Sequence, residues 1–191
     1  MKKLVIFASG SGSNMQAIID EIEAGGIHAE IVGLIVNKPD IKSIERAKKI
    51  NVPVSIITDK GNISYTSKLR KQLSAWSPDL IVLAGFLKKI PTTIIKEYKN
   101  KIINIHPALL PKFGGKGFYG MNVHKAVLES GDKESGCTVH FVNEEYDKGP
   151  IISQAKVPVH SSDTPGILAK RVLEAEHKLL PSVIKKLINQ S

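Results

Sequence analysis

Asn104 and His106 stand two residues apart in Lys101-Ile102-Ile103-Asn104-Ile105-His106-Pro107, an amide and an imidazole in an otherwise apolar run. Residues two apart on a strand project to the same side, so the two side chains can reach one substrate atom. An amide N–H can donate to an oxyanion, and a neighbouring imidazolium can donate a second hydrogen bond and deliver a proton. Together they serve a tetrahedral intermediate at a carbonyl carbon. No serine or cysteine sits in a nucleophile-elbow context, so the attacking group must come from a second substrate. An imidazole in this role also needs a carboxylate to orient it and hold its proton. Asp147, in the polar turn 144–149, is the best placed, although spacing alone does not choose it over Glu144 or Glu145. Asp ahead of Gly and Pro is also ordinary turn chemistry.

A second feature is the run Ser9-Gly10-Ser11-Gly12-Ser13-Asn14, which follows an apolar strand and precedes a helical pattern. Glycines and small hydroxyls there let backbone amides and the positive helix end meet an anion. Met15 occupies the third glycine position of the dinucleotide fingerprint, and no Gly-Lys-Ser/Thr follows as a Walker loop requires. A monophosphate therefore fits better than a dinucleotide or a nucleoside triphosphate. Close packing alone would explain glycine in such a turn, but not three serines and an asparagine with it.

These residues need a frame. Short β-rich runs at 4–8, 31–36, 54–57, 80–84 and 102–106 alternate with helical patterns at 15–24, 43–50, 65–76 and 92–98. Such alternation predicts an α/β fold, a Rossmann-like, mostly parallel sheet flanked by helices. Pro107 ends the strand of Asn104 and His106 at its carboxyl end, the edge where open parallel sheets bind ligands. The second half changes character: two longer strands at 136–143 and 150–159 suggest added, antiparallel pairing. A last helix is expected from about Asp163 to Asn189, with a break allowed around Pro181.

Composition narrows the function class. The 191 residues, 42% hydrophobic and 24% charged, predict one domain over 1–191. Net charge is +9, with Lys and Arg scattered along predicted helices, so no nucleic-acid partner is expected, while anionic small molecules would be captured faster. The single cysteine, Cys137, rules out an intramolecular disulfide, and no Cys/His cluster has metal-ligand spacing, so no metal is expected. The apolar run at 4–8 is too short for a membrane span or a signal peptide, which makes the cytoplasm the expected location.

The glycine loop, Leu83-Ala84-Gly85-Phe86-Leu87, Asn104-Ile105-His106-Pro107-Ala108-Leu109-Leu110-Pro111, Thr138-Val139-His140-Phe141-Val142 and Tyr146-Asp147-Lys148-Gly149-Pro150 together resemble the phosphoribosylglycinamide formyltransferase family of de novo purine synthesis. The resemblance covers essentially the whole chain. It implies transfer of a formyl group from the co-substrate 10-formyltetrahydrofolate to the glycinamide amine, by direct attack through a tetrahedral intermediate. Carried over residue by residue, Asn104 and His106 stabilise the oxyanion, His106 acts as the acid, and Asp147 raises its pKa. Gly12, Ser13 and Asn14 bind the acceptor's phosphate, and Glu176 contacts its glycinamide. Leu87, Lys88, Lys89 and Ile90 resemble the pterin-binding segment, joined by Asn104 and the turn 140–147.

Two departures from that family stand out. The stretch 112–120 is longer and richer in glycine than in many relatives, which suggests a mobile lid, with Asn122 near where some carry another histidine. Asn62 stands where some carry a basic folate contact. A formyltetrahydrofolate hydrolase or a methionyl-tRNA transformylase would share the Asn/His/Asp set. Those relatives usually carry a further domain, and none is expected here, because the first strand opens at residue 3 or 4 and the last helix closes the sequence. A non-catalytic nucleotide-binding or folate-storage module would have no use for the three groups together. The oligomeric state, monomer or homodimer, is open from sequence.

Overall fold

The computed structural model describes residues 1–58 and 62–189; the side chains of Asn62 and Ile63 lie outside the description, and with them the expectation for Asn62. The elements run β1 (Lys2–Ala8), α1 (Ser13–Glu23), β2 (Ala29–Val36), α2 (Lys42–Lys49), β3 (Val54–Ile56), α3 (Asn62–Trp76), β4 (Leu80–Leu83), α4 (Thr92–Glu97) and β5 (Ile102–His106). They continue through α5 (Met121–Ser130), β6 (Glu134–Phe141), β7 (Ile151–Pro158) and α6 (Pro165–Asn189). Among the described residues, seven strands form one sheet in the order β3-β2-β1-β4-β5-β6-β7. The pairs from β3 across to β5 are parallel, and β6 and β7 are added antiparallel.

Both faces of the sheet are covered, and β1 shows why its sequence is apolar throughout. Leu4, Ile6 and Ala8 enter one core with α1, α2, α5 and α6; Val5 and Phe7 enter the other with α3 and α4. A fully buried side chain of this size contributes roughly 1.5–3 kcal/mol, so a strand apolar on both sides is anchored twice. That rigidity matters because β1, β4 and β5 end at the same sheet edge. Between β1 and β4 the strand order reverses direction, which opens a crevice at their carboxyl ends.

The structure departs from the sequence expectations in two elements. Helix α5 forms in a stretch that patterning left unassigned, entered from Gly120 at φ 54° and closed by Gly131 at φ 73°. Helix α6 also passes through Pro181 without a break. Proline there removes the amide that would bond the His177 carbonyl, at a cost of roughly 3 kcal/mol. Leu180, Pro181, Val183 and Ile184 are all buried against the sheet, and that packing outweighs the cost.

Candidate active site

Asn104 and His106 emerge on one side of β5, as their spacing requires, and β6 lies antiparallel beside them with His140 opposite Asn104. The His140 ring settles the orientation of the amide. Its Nδ1–H donates to the Phe141 carbonyl oxygen at 2.8 Å, which leaves Nε2 to accept from Asn104 Nδ2 at 3.1 Å. Asn104 Nδ2 also donates to Asp147 Oδ1 at 3.5 Å, so one amide hydrogen is fixed on His140 and the other makes a longer contact that a ligand oxygen can replace. Sequence reasoning placed His140 only at the start of a folate-contacting turn; its hold on Asn104 depends on cross-strand register, which single-strand spacing does not contain.

Asp147 reaches this pair from the turn after β6. Its backbone sits at φ 55°, in the left-handed region, and its carboxylate lies 3.6 Å from His106 Nδ1 through Oδ2 and 3.6 Å from His140 Nε2 through Oδ1. Glu144 and Glu145 pair instead with Lys96 and Lys148. Burial works to raise the Asp147 pKa, but the His140 ring 3.6 Å away, the His106 charge and the Gly115 N–H together hold it below the usual carboxylate range. His106 is 4% exposed. Burial pushes its pKa below that of an ordinary imidazole and outweighs Asp147 and the Phe113 carbonyl, which act in the opposite direction. Asp147 thus acts on the His106 pKa in the expected direction, while burial sets the net shift downward.

The glycine-rich stretch 112–120 arches over these groups and touches them through its main chain. His106 Nε2–H donates to the Phe113 carbonyl at 2.7 Å, and the Gly115 N–H donates to Asp147 Oδ2 at 2.8 Å. With Nε2 committed to Phe113, Nδ1 is the His106 nitrogen left for proton transfer beside Asp147. His124, from α5, lines the same cavity, 5% exposed, its Nδ1 without a partner. Asn122 does not line it.

That cavity measures about 640 Å³ and runs from the glycine loop past Asn104, His106 and Asp147 to α6. Gly12 starts α1 at φ 69°, and a Cβ there would stand 2.7 Å from Ser43 Cβ, so the close approach of α2 needs glycine. The first-turn amides of α1 have no intrahelical acceptors and face the cavity mouth. Arg46 of α2 braces the loop, its Nε donating to the Ser11 carbonyl at 3.0 Å and its Nη1 to Gln16 Oε1 at 2.7 Å. Nothing in the helix pattern of α2 singled out Arg46. Ser13 lies at the mouth, whereas the Asn14 side chain turns inward: its Nδ2 donates to Glu176 Oε2 at 2.7 Å, and its Oδ1 has no partner. Burial pushes the Glu176 carboxyl up to about 7, against the opposing Asn14 hydrogen bond.

On the far side of Asn104 a smaller cavity of about 80 Å³ is lined by Phe86, Lys88, Lys89, Ile90, His140 and Asp147 among others. Asn104 and Asp147 line both cavities. Ile90 is buried, Leu87 is exposed with its N–H donating to Ser9 Oγ at 3.0 Å, and the Lys89 ammonium lies 5.4 Å from the centre of the Tyr146 ring. Among the described residues no group of three or more His, Cys, Asp or Glu could hold a metal ion, and no helix is long and apolar enough to cross a membrane. Two adjoining cavities, with an amide, an imidazole and a carboxylate between them, suit group transfer between two bound molecules.

Comparison with known proteins bears on which group that is. The formyl transferase family model matches residues 2–184. The chain is 46% identical over 187 residues to a chloroplastic phosphoribosylglycinamide formyltransferase of Arabidopsis thaliana, covering 96% of this chain and 64% of that one. It is 40% identical to a phosphoribosylglycinamide formyltransferase of Haemophilus influenzae, covering 97% and 86%. The crystal structure of phosphoribosylglycinamide formyltransferase from Bacillus halodurans superposes with a TM-score of 0.91 at 36% identity, covering 98% of this chain and 95% of the other. The chain thus spans less than two thirds of the plant relative and most of the bacterial ones.

Proposed function

The chain belongs to the formyl transferase family, and from that premise we propose that it moves the formyl group of 10-formyltetrahydrofolate to the glycinamide amine of 5'-phosphoribosylglycinamide, a step of purine biosynthesis. The observation that carries this reading is the position of Asn104 and Asp147 in the walls of two adjoining cavities, with His106 beside them. The larger cavity takes the acceptor, its phosphate on the amides of Gly12, Ser13 and Asn14 and its glycinamide beside Glu176 and the free Asn14 Oδ1. The smaller cavity, with Lys88, Lys89 and Ile90 in its wall and Leu87 at the side of the larger one, takes the folate ring. The reactive carbon then lies against Asn104. Residues 1–191 act as one catalytic domain, with two small molecules as partners and no metal. The cytoplasm is the proposed compartment, supported by a lone buried cysteine and no disulfide.

Each residue has a task in that transfer. As the amine attacks, a carbon–nitrogen bond forms and the formyl oxygen takes up negative charge; the Asn104 amide hydrogen that otherwise makes the long Asp147 contact meets it. His106 Nδ1, poised against Asp147, carries the proton lost by the amine to the folate nitrogen as that carbon–nitrogen bond breaks. The imidazole, which burial holds toward its neutral form, suits the first half of this shuttle. Negative charge building on the oxyanion, together with Asp147, favours the imidazolium needed for the second. The test is acceptor dependence. Formyl transfer requires phosphoribosylglycinamide if the proposal holds, whereas equal cofactor turnover without it would assign the chain as a hydrolase.

A further inference from the structure

Behind the loop that carries the Phe113 carbonyl lies a second cavity of about 440 Å³, and no residue lines both it and the catalytic one. Its apolar wall includes Leu109, Phe113 and Val127, and Lys112, Lys133 and Ser135 also line it. Ser135 is 2% exposed, and its hydroxyl has no hydrogen-bond partner. A buried hydroxyl left unpaired is costly, and a change of the Ser135 rotamer turns it toward a polar atom brought into the cavity. Lys112 pairs with Asp132 at 2.9 Å and Glu134 with Lys156 at 2.8 Å, which leaves the Lys133 ammonium without an ion pair among the described residues. One uncommitted cation and one uncommitted hydroxyl above an apolar wall match a monoanion. A dianion would leave a charge unpaired beside Asp132 and Glu134.

We propose that this cavity binds a small carboxylate with an apolar body, its oxygens on Lys133 and Ser135 and its body against Leu109, Phe113 and Val127, and that its occupancy is felt at His106 through Phe113. The coupling is built into one residue. Phe113 lines the cavity, while its carbonyl accepts the His106 Nε2–H at 2.7 Å. It also holds φ at 55°, in the left-handed region that a bulky side chain adopts only under constraint. A ligand packed on the ring favours that backbone conformation, and so favours the His106 arrangement in which Nε2 is occupied and Nδ1 faces Asp147. Binding here and binding in the catalytic cavity then change one another's affinity by the same factor.

The probe is 2-naphthoate, titrated into the full chain and followed by its fluorescence and by calorimetry, with the histidine ring signals read by NMR in histidine-labelled protein. One saturable site is expected, weakened about tenfold by Lys133→Ala and by Ser135→Ala, since a hydrogen bond to a charged group is worth about that factor. Saturation is also expected to move the His106 ring resonances. These readouts do not depend on which reaction the enzyme catalyses, so they stand or fall apart from the transferase reading. Absence of saturation overturns the proposal. So does binding that is indifferent to both substitutions and displaced by phosphoribosylglycinamide, which would put the probe in the catalytic cavity. Saturable binding with unmoved His106 signals overturns the coupling.

Discussion

Asn104 offers its second amide hydrogen, held only by a 3.5 Å contact to Asp147, because His140 holds the other, and His106 presents Nδ1 because Phe113 holds Nε2. His106→Ala removes the proton carrier and leaves both cavities standing, so kcat should fall on the order of a hundredfold or more while the acceptor's calorimetric affinity stays near that of the parent. An unchanged kcat would remove His106 from the chemistry. Glu176 gives a prediction about stability. Its carboxyl is 6% exposed, and its pKa rises from an ordinary 4.5 to about 7 on folding, so the folded state prefers the protonated form. That preference is complete below about pH 4.5 and is lost as pH rises through 7, a loss of roughly 3 kcal/mol by pH 8 and above. Glu176→Gln should therefore raise Tm over the parent at pH 8.5, leave it nearly unchanged at pH 4.5, and weaken the acceptor. A substitution that lowers Tm equally at both pH values would mean that the carboxyl is not strained in the empty site. Asn104, His106, Asp147 and Glu176 were legible from residue type and family pattern. Arg46 was not, because its partners Ser11 and Gln16 lie far away in sequence, and neither was His124, which nothing in the local pattern of its helix marks.

At the scale of elements, the site depends on how closely two helices approach the turn after β1. Gly12 is both the residue before α1, at φ 69°, and the point where α2 presses in through Ser43. Gly12→Ala adds a left-handed alanine, costing about 1–2 kcal/mol, and a Cβ at 2.7 Å from Ser43 Cβ that must push α2 and its Arg46 brace outward. The expected result is a modest loss in thermal stability with a larger loss in acceptor affinity, seen by calorimetry with phosphoribosylglycinamide. Equal affinity in variant and parent would show that the loop does not hold the phosphate. The same reasoning explains which elements the sequence revealed. The helices of the first half carry the 3.6 period because each packs one face against the sheet, and the central strands read as short apolar runs because both of their faces are covered. Helix α5 escaped notice because it follows a stretch with Gly114, Gly115, Gly117 and Gly120, whose composition reads as loop. Pro181 reads as a break because local propensity opposes a helix there, and only the buried face of α6, visible in three dimensions, overrides it.

The whole molecule carries a net +9, the excess of Lys and Arg left after every carboxylate is counted, including those in exposed ion pairs such as Arg70 with Glu97 and Lys156 with Glu134. Individually such surface pairs add little to stability. The excess cations leave a positive field around a site that contains the carboxyls of Asp147 and Glu176, while Lys116 lines the larger cavity and Lys88 and Lys89 the smaller one. An anionic acceptor is thus drawn toward the mouth by long-range attraction, then held inside by amides and shape. Attraction of this kind is screened once the Debye length shrinks to about 10 Å at 0.1 M salt, whereas short contacts inside a cavity are screened far less. Raising monovalent salt from about 20 to about 200 mM should therefore lower kcat/KM for the acceptor several-fold and leave kcat nearly flat. Lys116→Ala should lower kcat/KM at low salt and flatten its salt dependence, since it removes a charge at the entrance and no reacting group. If kcat fell in parallel with kcat/KM as salt rose, the ions would be acting on the transfer step itself, and the scattered lysines would be only a solvated surface.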